Sequence, residues 1–152
     1  MIIIETAFDD PRTQSLIARQ KAHARAHTPP QFGHAFEAGS EAAAKVRFFL
    51  ALDDDLPLGC VGLSPIDETA VELKTMHVLA DQRGRGLGQM LLERVLAEAK
   101  ALGAREVKLE TGPNEGFAAA RRLYERAGFE TCAPWGAYVG DPFSFCMRLR
   151  LP

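Results

Sequence analysis

The sequence has few cysteines and no apolar stretch long enough to cross a membrane. Its three cysteines among 152 residues, Cys60, Cys132 and Cys146, are widely spaced and odd in number, which favours neither a zinc site nor a disulfide framework. No apolar run approaches the roughly 20 residues of a membrane-spanning helix. The N-terminal MIII also lacks the basic flank and cleavage site of a signal peptide. These absences predict a cytoplasmic protein without a membrane partner.

An excess of positive charge is also missing. The chain has 18 Lys and Arg against 20 Asp and Glu, a net charge of −2, so no basic field indicates nucleic acid as a partner. Its 47% hydrophobic content is ordinary for a soluble globular protein. The length suits a single domain, which we expect to span residues 1–152.

Strand-like and helical patterns alternate in the first half of the chain. Strands are predicted over residues 1–7, 46–52, 56–63 and 70–80, and a first helix over residues 9–27. Asp9 or Asp10 can cap this helix. Short turns join the last three strands into an antiparallel meander, in which Gly59 and Gly62 indicate a bulge or a close approach of another group. The segment between the first helix and the second strand is ambiguous, and a short helix over residues 40–45 is one interpretation.

In the second half, apolar residues recur at helical spacing. The first such stripe consists of Leu87, Leu91, Leu92, Val95, Leu96, Ala99 and Leu102, and Gly103 ends the helix. A strand follows at 105–111, so residues 70–111 form a βαβ unit with two parallel strands. A helix over 117–128 and two strands joined by a long aromatic connection complete the chain. We therefore predict an α+β fold, with helices on both faces of a mixed, mostly antiparallel sheet of about six or seven strands.

The stretch DQRGRGLG (81–88) is a glycine-rich turn that follows a strand and opens a helix. Unpaired backbone N–H groups and the helix dipole favour an anion at such a place. A P-loop is excluded because the stretch lacks its Lys and Ser or Thr. A dinucleotide fingerprint fits poorly, since Gly84 and Gly86 match but Gln89 stands at the third glycine position. The pyrophosphate of coenzyme A is the third candidate.

The same stretch resembles the acetyl-CoA motif of the GNAT family of N-acetyltransferases, [Q/R]-x-x-G-x-[G/A], through Arg83, Gly86 and Gly88. ELKTMHV (72–78) is similar to the central strand of that family, and LYERAGF (123–129) to its second signature. The three motifs stand in the family's order on the expected elements. The resemblance implies the acyl-CoA N-acyltransferase fold, with acetyl-CoA as cosubstrate and no metal.

The resemblance also implies where the cosubstrate binds. The central strand should splay from its parallel neighbour, so that main-chain atoms of Met76, His77 and Val78 bind the pantetheine arm. Backbone amides of the turn should hold the pyrophosphate; the residues concerned are Arg83, Gly84, Arg85, Gly86, Leu87, Gly88 and Gln89. The alternative for the two arginine side chains is a solvated turn. Phe117 stands where the family often has Asn and is expected to pack against the pantetheine or the sheet, while Asn114 is predicted to cap a helix.

Two side chains are candidates for the chemistry. By position in the family, Glu72 would be the general base that takes a proton from the amine, and Tyr124 the acid that protonates the leaving thiolate. Strand periodicity places Glu72 on one face with Lys74, Met76 and Val78. The alternatives are a surface glutamate paired with a lysine, and a half-buried aromatic whose hydroxyl merely finds a partner.

The sequence gives fewer indications of the residues that bind the acceptor. In the family the segment after the first helix often forms part of the acceptor wall, and here it contains Phe32 and His34. Trp135 and Tyr138, in the C-terminal connection, would line an acceptor pocket or form the contact of a homodimer. The pair His23 and His27, four residues apart, could bind a metal, but no third ligand is evident, so no metal is expected.

The sequence thus predicts an acetyl-CoA-dependent N-acetyltransferase that acts on a small-molecule amine by direct attack in a ternary complex. One alternative is a catalytically silent CoA-binding sensor or partner-binding module. Another is a protein or peptide N-acetyltransferase. The sequence does not name the acceptor.

Overall fold

The computed structural model describes residues 1–28 and 45–152 of the chain. Its strands are β1 (Ile2–Thr6), β2 (Arg47–Asp53), β3 (Leu56–Pro65), β4 (Ala70–Val78), β5 (Glu106–Thr111), β6 (Glu130–Thr131) and β7 (Phe145–Arg150). Its α-helices are α1 (Pro11–His27), α2 (Leu87–Ala101) and α3 (Ala118–Arg126). Single 3₁₀ turns lie at Ala80–Gln82, Glu115–Phe117 and Gly136–Tyr138. The predicted helix over 40–45 falls mainly within 29–44, outside the described residues.

The seven strands form one mixed sheet in the order β1-β2-β3-β4-β5-β7-β6. The pair β4–β5 is parallel and the other five pairs are antiparallel. The predicted meander and βαβ unit are therefore confirmed, and with them the α+β fold class. Asp10 caps α1 by accepting a hydrogen bond from the Arg12 N–H at 2.9 Å.

Helices cover both faces of the sheet because neighbouring residues of a strand point to opposite sides. On β2, Leu50 packs with Leu16 of α1. The next residue back along the strand, Phe49, belongs instead to the cluster that contains Leu91 of α2 and Tyr124 of α3. The second cluster is the larger core and fixes α2 and α3 against the strands that border the site. No helix in the described ranges is both long and apolar enough to span a bilayer.

A bulge interrupts β4 opposite the predicted irregularity in β3. Cys60 pairs with His77 and Gly62 with Lys74, so β4 has one residue more than β3 between these pairs. Thr75 sits in this bulge with φ of +57°, in the left-handed region that β-branched residues rarely adopt. Its carbonyl accepts a hydrogen bond from the Cys60 thiol at 3.3 Å. The extra residue resets the alternation of side chains along the strand.

Candidate active site

A cleft opens where the two parallel strands separate. β4 and β5 pair only from Ala70 with Glu106 to Leu73 with Leu109, although both strands continue further. Beyond this point lies a cavity of about 760 Å³, lined by residues of α1, β4, the glycine turn, β5, α3 and the C-terminal connection. This volume is within the range of small-molecule sites. The unpaired part of β4 leaves backbone groups available for an extended ligand.

The glycine turn lies at one end of the cavity and leads into α2. Gly84 and Gly86 have φ of +84° and +77°, and a Cβ placed on either would meet no atom within 4 Å. Gly86 is the N-cap of α2 and provides no side-chain cap, so the first N–H groups of this 15-residue helix have no partner from the cap residue. Gly88 packs closely on Leu123 of α3, whose Cδ2 would lie 3.1 Å from a Cβ added at this glycine. The residues therefore fit a pyrophosphate, which needs free N–H donors and an unobstructed approach.

Both arginine side chains of the turn are exposed and make contacts within their own segment. Arg83 Nε donates to the carbonyl of Val78 at 3.4 Å, and Arg85 donates to the side chain of Gln82. Arg83 lines the cavity together with the turn residues Gly84, Gly86, Leu87, Gly88 and Gln89. Arg85 is absent from that lining, in keeping with a solvated side chain.

The residues at the end of β4 line the cavity, and their side chains lie in different surroundings. Met76 and Val78 pack against the larger core, as does Leu73. The predicted common face of Glu72, Lys74, Met76 and Val78 is therefore wrong, because the bulge at Thr75 shifts the alternation by one residue. The His77 ring lies 6.2 Å from the ring of His23 on α1. Burial and the nearby positive charge of Arg83 lower the pKa of His77 to about 4, so the imidazole is neutral at physiological pH.

Glu72 lies at the point where β4 leaves β5, with only 13% of its side chain exposed. Its Oε2 atom accepts a hydrogen bond from the Tyr138 hydroxyl at 2.5 Å and lies 3.8 Å from Lys74 Nζ. A carboxylate in this position can accept a proton from a group bound in the cavity, which both Glu72 and Tyr138 line.

Tyr124 reaches the same cavity from α3. The residue is 4% exposed, and its ring packs against that of Phe129 with centroids 5.7 Å apart. Burial raises the pKa of the Tyr124 hydroxyl, so the group keeps its proton at neutral pH. A protonated hydroxyl at a cavity wall can donate to a neighbouring anion.

Residues 112–117 pack under the end of α1. The Phe117 ring lies between Gly112, where an added Cβ would collide with the ring, and the rings of His23 and His27. His23 Nε2 is 2.9 Å from the carbonyl of Gly116. These histidines thus pack on the loop, and no three metal-ligating side chains cluster within the described part of the chain.

Asn114 does not provide the predicted side-chain cap. Its amide instead donates to the carbonyl of His27 at 2.5 Å, because the end of α1 lies directly above it. Arg121 donates to the carbonyls of Gly112 and Asn114 at 2.6 and 2.8 Å. Its side chain therefore holds the loop that precedes α3.

The candidate acceptor residues lie in different places. Tyr138 lines the cavity, and so does Phe143 from the same connection. Trp135 is absent from the lining and packs edge-on against Tyr138, with ring centroids 5.0 Å apart. Phe32 and His34 lie outside the described residues.

Three further cavity residues were not among the predicted cosubstrate, catalytic or acceptor residues. Glu110 of β5 faces the opening of the strands, and its Oε1 accepts a hydrogen bond from the Ser144 hydroxyl at 3.2 Å. Lys74 and His23 line the cavity from β4 and α1. Glu110 and Lys74 follow the ordinary alternation of half-buried strands, and so nothing in the sequence distinguishes them from surface charges.

Comparison with known proteins gives one consistent result. The model of the Acetyltransferase (GNAT) family matches residues 10–129. The uncharacterized N-acetyltransferase YsnE of Bacillus subtilis is 30% identical over 147 residues, covering 95% of this chain and 97% of the relative. The IAA acetyltransferase of Azospirillum brasilense is 33% identical over 124 residues, covering 81% of this chain and 80% of that protein.

Solved structures agree with the fold. A crystal structure of a Klebsiella pneumoniae protein matches with a TM-score of 0.84 and 25% identity, covering 99% of this chain and 97% of the other. A GNAT family acetyltransferase from Elizabethkingia anophelis with acetyl-CoA bound matches with a TM-score of 0.74 and 17% identity, covering 99% and 97%. The chain therefore belongs to the Acetyltransferase (GNAT) family and is an N-acetyltransferase that uses acetyl-CoA.

Proposed function

We propose that the chain transfers the acetyl group of acetyl-CoA to the amine of a small molecule, by direct attack within a ternary complex. The observation that carries this proposal is that Glu72, Tyr124 and the glycine turn all line one cavity. Its volume of about 760 Å³ is shared between the cosubstrate and the acceptor, which limits the size of the acceptor. The C-terminal connection contributes Tyr138 and Phe143 to its wall, which favours a small molecule over an extended peptide.

The roles of the side chains follow from their chemistry. Acetyl-CoA supplies an acetyl group activated as a thioester. We assign Glu72 as the base that takes the proton of the attacking amine, and a backbone N–H of Val78 or a neighbour as the donor to the thioester carbonyl. Tyr124 donates its proton to the departing sulfur. Burial raises the pKa of a thiol as it raises that of a phenol, so the buried thiolate is also a stronger base and can take the proton from Tyr124.

The cosubstrate contacts are proposed in the same terms. Main-chain atoms of Met76, His77 and Val78 would bind the pantetheine arm, and the backbone amides of residues 83–89 the pyrophosphate. Phe117 packs on Gly112 and lines the cavity, so it would border the pantetheine. A single domain, a cytoplasmic location and a homodimer stay predictions.

Thiol release from acetyl-CoA tests the function. The assay is run with amines, amino acids, polyamines, aminoglycosides and peptides, and each product is identified by mass spectrometry. The proposal predicts release with one class of small amine and acetyl on its nitrogen. Release with peptides alone would overturn the small-molecule assignment, and CoA binding without any release would favour a sensor.

Replacing Tyr124 with Phe tests the acid. The ring and its packing on Phe129 are retained, while the proton donor is lost. We expect kcat to fall roughly 10²-fold, the lower end for a positioned acid. The thermal midpoint serves as the control for folding. An unchanged kcat across the pH range would remove Tyr124 from the mechanism.

A further inference from the structure

A single hydroxyl connects the C-terminal loop to the candidate base. Tyr138 belongs to the 3₁₀ turn Gly136–Tyr138 between β6 and β7, yet its hydroxyl donates to Glu72 Oε2 on β4. In the sheet order β5 stands between β4 and β7, so the loop reaches across one strand to make this contact. At 2.5 Å the O···O distance is in the range of a charge-assisted hydrogen bond.

Tyr138 is also packed against a residue of its own loop. Tyr138 is 7% exposed, and the Trp135 ring packs edge-on against its ring, with centroids 5.0 Å apart. Lys108 Nζ lies 5.2 Å from the centroid of the same Trp135 ring, on the other strand that borders the cleft. Trp135 therefore acts as a support for Tyr138 from outside the cavity.

The two contacts of the carboxylate are asymmetric. The Tyr138 hydroxyl and Lys74 Nζ both approach Oε2, and no hydrogen bond to Oε1 is formed within the described ranges. A carboxylate fixed through one oxygen presents the other in a defined direction. Burial and the neighbouring Glu72 raise the pKa of the Tyr138 hydroxyl, so it remains a proton donor throughout the working pH range.

We propose that Tyr138 is a positioning residue for the reaction: its hydroxyl holds Glu72 through Oε2 and leaves Oε1 to take the proton of the acceptor amine. This inference rests on the proposed role of Glu72 as base. It also gives the loop between β6 and β7 a function, since docking of that loop completes the catalytic arrangement on β4.

The kinetic test compares Tyr138→Phe with Val139→Ala, a substitution at a neighbouring residue that is 65% exposed. We expect Tyr138→Phe to lower kcat roughly tenfold, part of the roughly 10²–10⁴-fold contribution of a positioned base, and to leave KM for acetyl-CoA unchanged. Val139→Ala should leave both unchanged. An unaltered kcat in Tyr138→Phe would overturn the proposal.

A double-mutant cycle separates this inference from the function on which it rests. In a Glu72→Gln background, Tyr138→Phe should cause no further loss, because the carboxylate that it orients is gone. An equal loss in both backgrounds would show that Tyr138 acts independently of Glu72 and would overturn the inference alone. A Glu72→Gln enzyme with wild-type kcat would refute the base and the inference together.

Ultraviolet titration tests the contact without relying on activity. In Tyr124→Phe, Tyr138 is the one remaining tyrosine of the chain. Adding Glu72→Gln should move tyrosinate absorbance to lower pH, because a negative neighbour that raises the hydroxyl pKa has been removed. Identical titrations in the two proteins, over the pH range in which circular dichroism shows both to be folded, would contradict the hydrogen bond.

Discussion

Replacing Gly86 with Ala tests the proposed pyrophosphate site by adding one methyl group. Gly86 has φ of +77°, and its added Cβ would meet nothing within 4 Å, so the change introduces backbone strain without a steric clash. A left-handed conformation costs a residue with a Cβ roughly 1–2 kcal/mol. Because the turn is exposed, we expect it to relax to another conformation when no ligand holds it.

Binding of CoA must then restore the strained conformation. If the whole cost falls on binding, the Kd for CoA rises roughly 5–30-fold, since each 1.4 kcal/mol is a factor of about ten. Isothermal titration calorimetry with CoA measures this directly. Gly86→Asn should show a smaller increase, because Asn tolerates the left-handed region better than Ala.

Gly103→Ala is the matched control. Gly103 has φ of +79° with nothing within 4 Å of an added Cβ, but it follows the other end of α2. Because Gly103→Ala introduces a similar strain, it should lower the thermal midpoint by roughly 2–8 °C. It should leave the Kd for CoA unchanged. An unchanged Kd in Gly86→Ala, or equal increases in both variants, would refute a pyrophosphate site at the turn.

Three other predictions concern titration and stability. The two tyrosines, Tyr124 and Tyr138, both have raised pKa values, so an ultraviolet titration should show no tyrosinate near pH 10 while the chain is folded. The free energy of unfolding should fall as the pH rises above the tyrosine pKa of the unfolded chain. Absorbance of two tyrosinates near pH 10 in the folded protein would contradict the burial of these side chains. The pKa of His77 is lowered from 6.5 to about 4, so stability that is present above pH 6.5 should be lost as the pH falls toward 4. The denaturant midpoint of His77→Gln should therefore depend less on pH than that of the unsubstituted chain. An equally steep dependence would show that other groups cause the loss of stability. Asp10→Ala removes the cap of α1 and should lower the urea concentration at the midpoint of unfolding. An unchanged midpoint would contradict a stabilising cap.

Local patterns were enough to predict the order of elements and the place of the glycine turn before α2. The apolar spacing from Leu87 to Ala99 matches the buried side of α2, because helical periodicity decides which residues face a core. Leu102, predicted to belong to that stripe, is 58% exposed, since the helix ends at Ala101. Gly84 and Gly86 marked the turn because both have positive φ, which is inexpensive only for glycine.

The details of the site depend on contacts that the sequence does not encode locally. The glycines of β3 correctly indicated a bulge, since Leu58, beside Gly59, is an extra residue of β3 opposite β2. A second extra residue lies in β4 at Thr75, which no glycine marks, and so the orientation of Met76 was not predictable from alternation alone. The contact of Tyr138 with Glu72 joins residues 66 positions apart. It depends on the path of an irregular loop, for which no periodicity exists.

Asn114 shows that even a clear local signal can mislead. A side chain that commonly caps a helix is used here to hold the end of α1, a partner 87 residues away. Tertiary packing therefore changed the role of a residue whose local signal was clear.

A single-turnover experiment with acetyl-labelled acetyl-CoA tests direct transfer in a ternary complex most directly. Enzyme in excess is mixed with labelled acetyl-CoA, first without and then with an acceptor amine identified by thiol release, and the label is followed on protein and amine after quenching. Direct attack predicts no label on the protein in the absence of amine, and transfer to the amine nitrogen when it is added. Label bound covalently to the protein before the amine is added, and then passed on to it, would contradict the proposed mechanism.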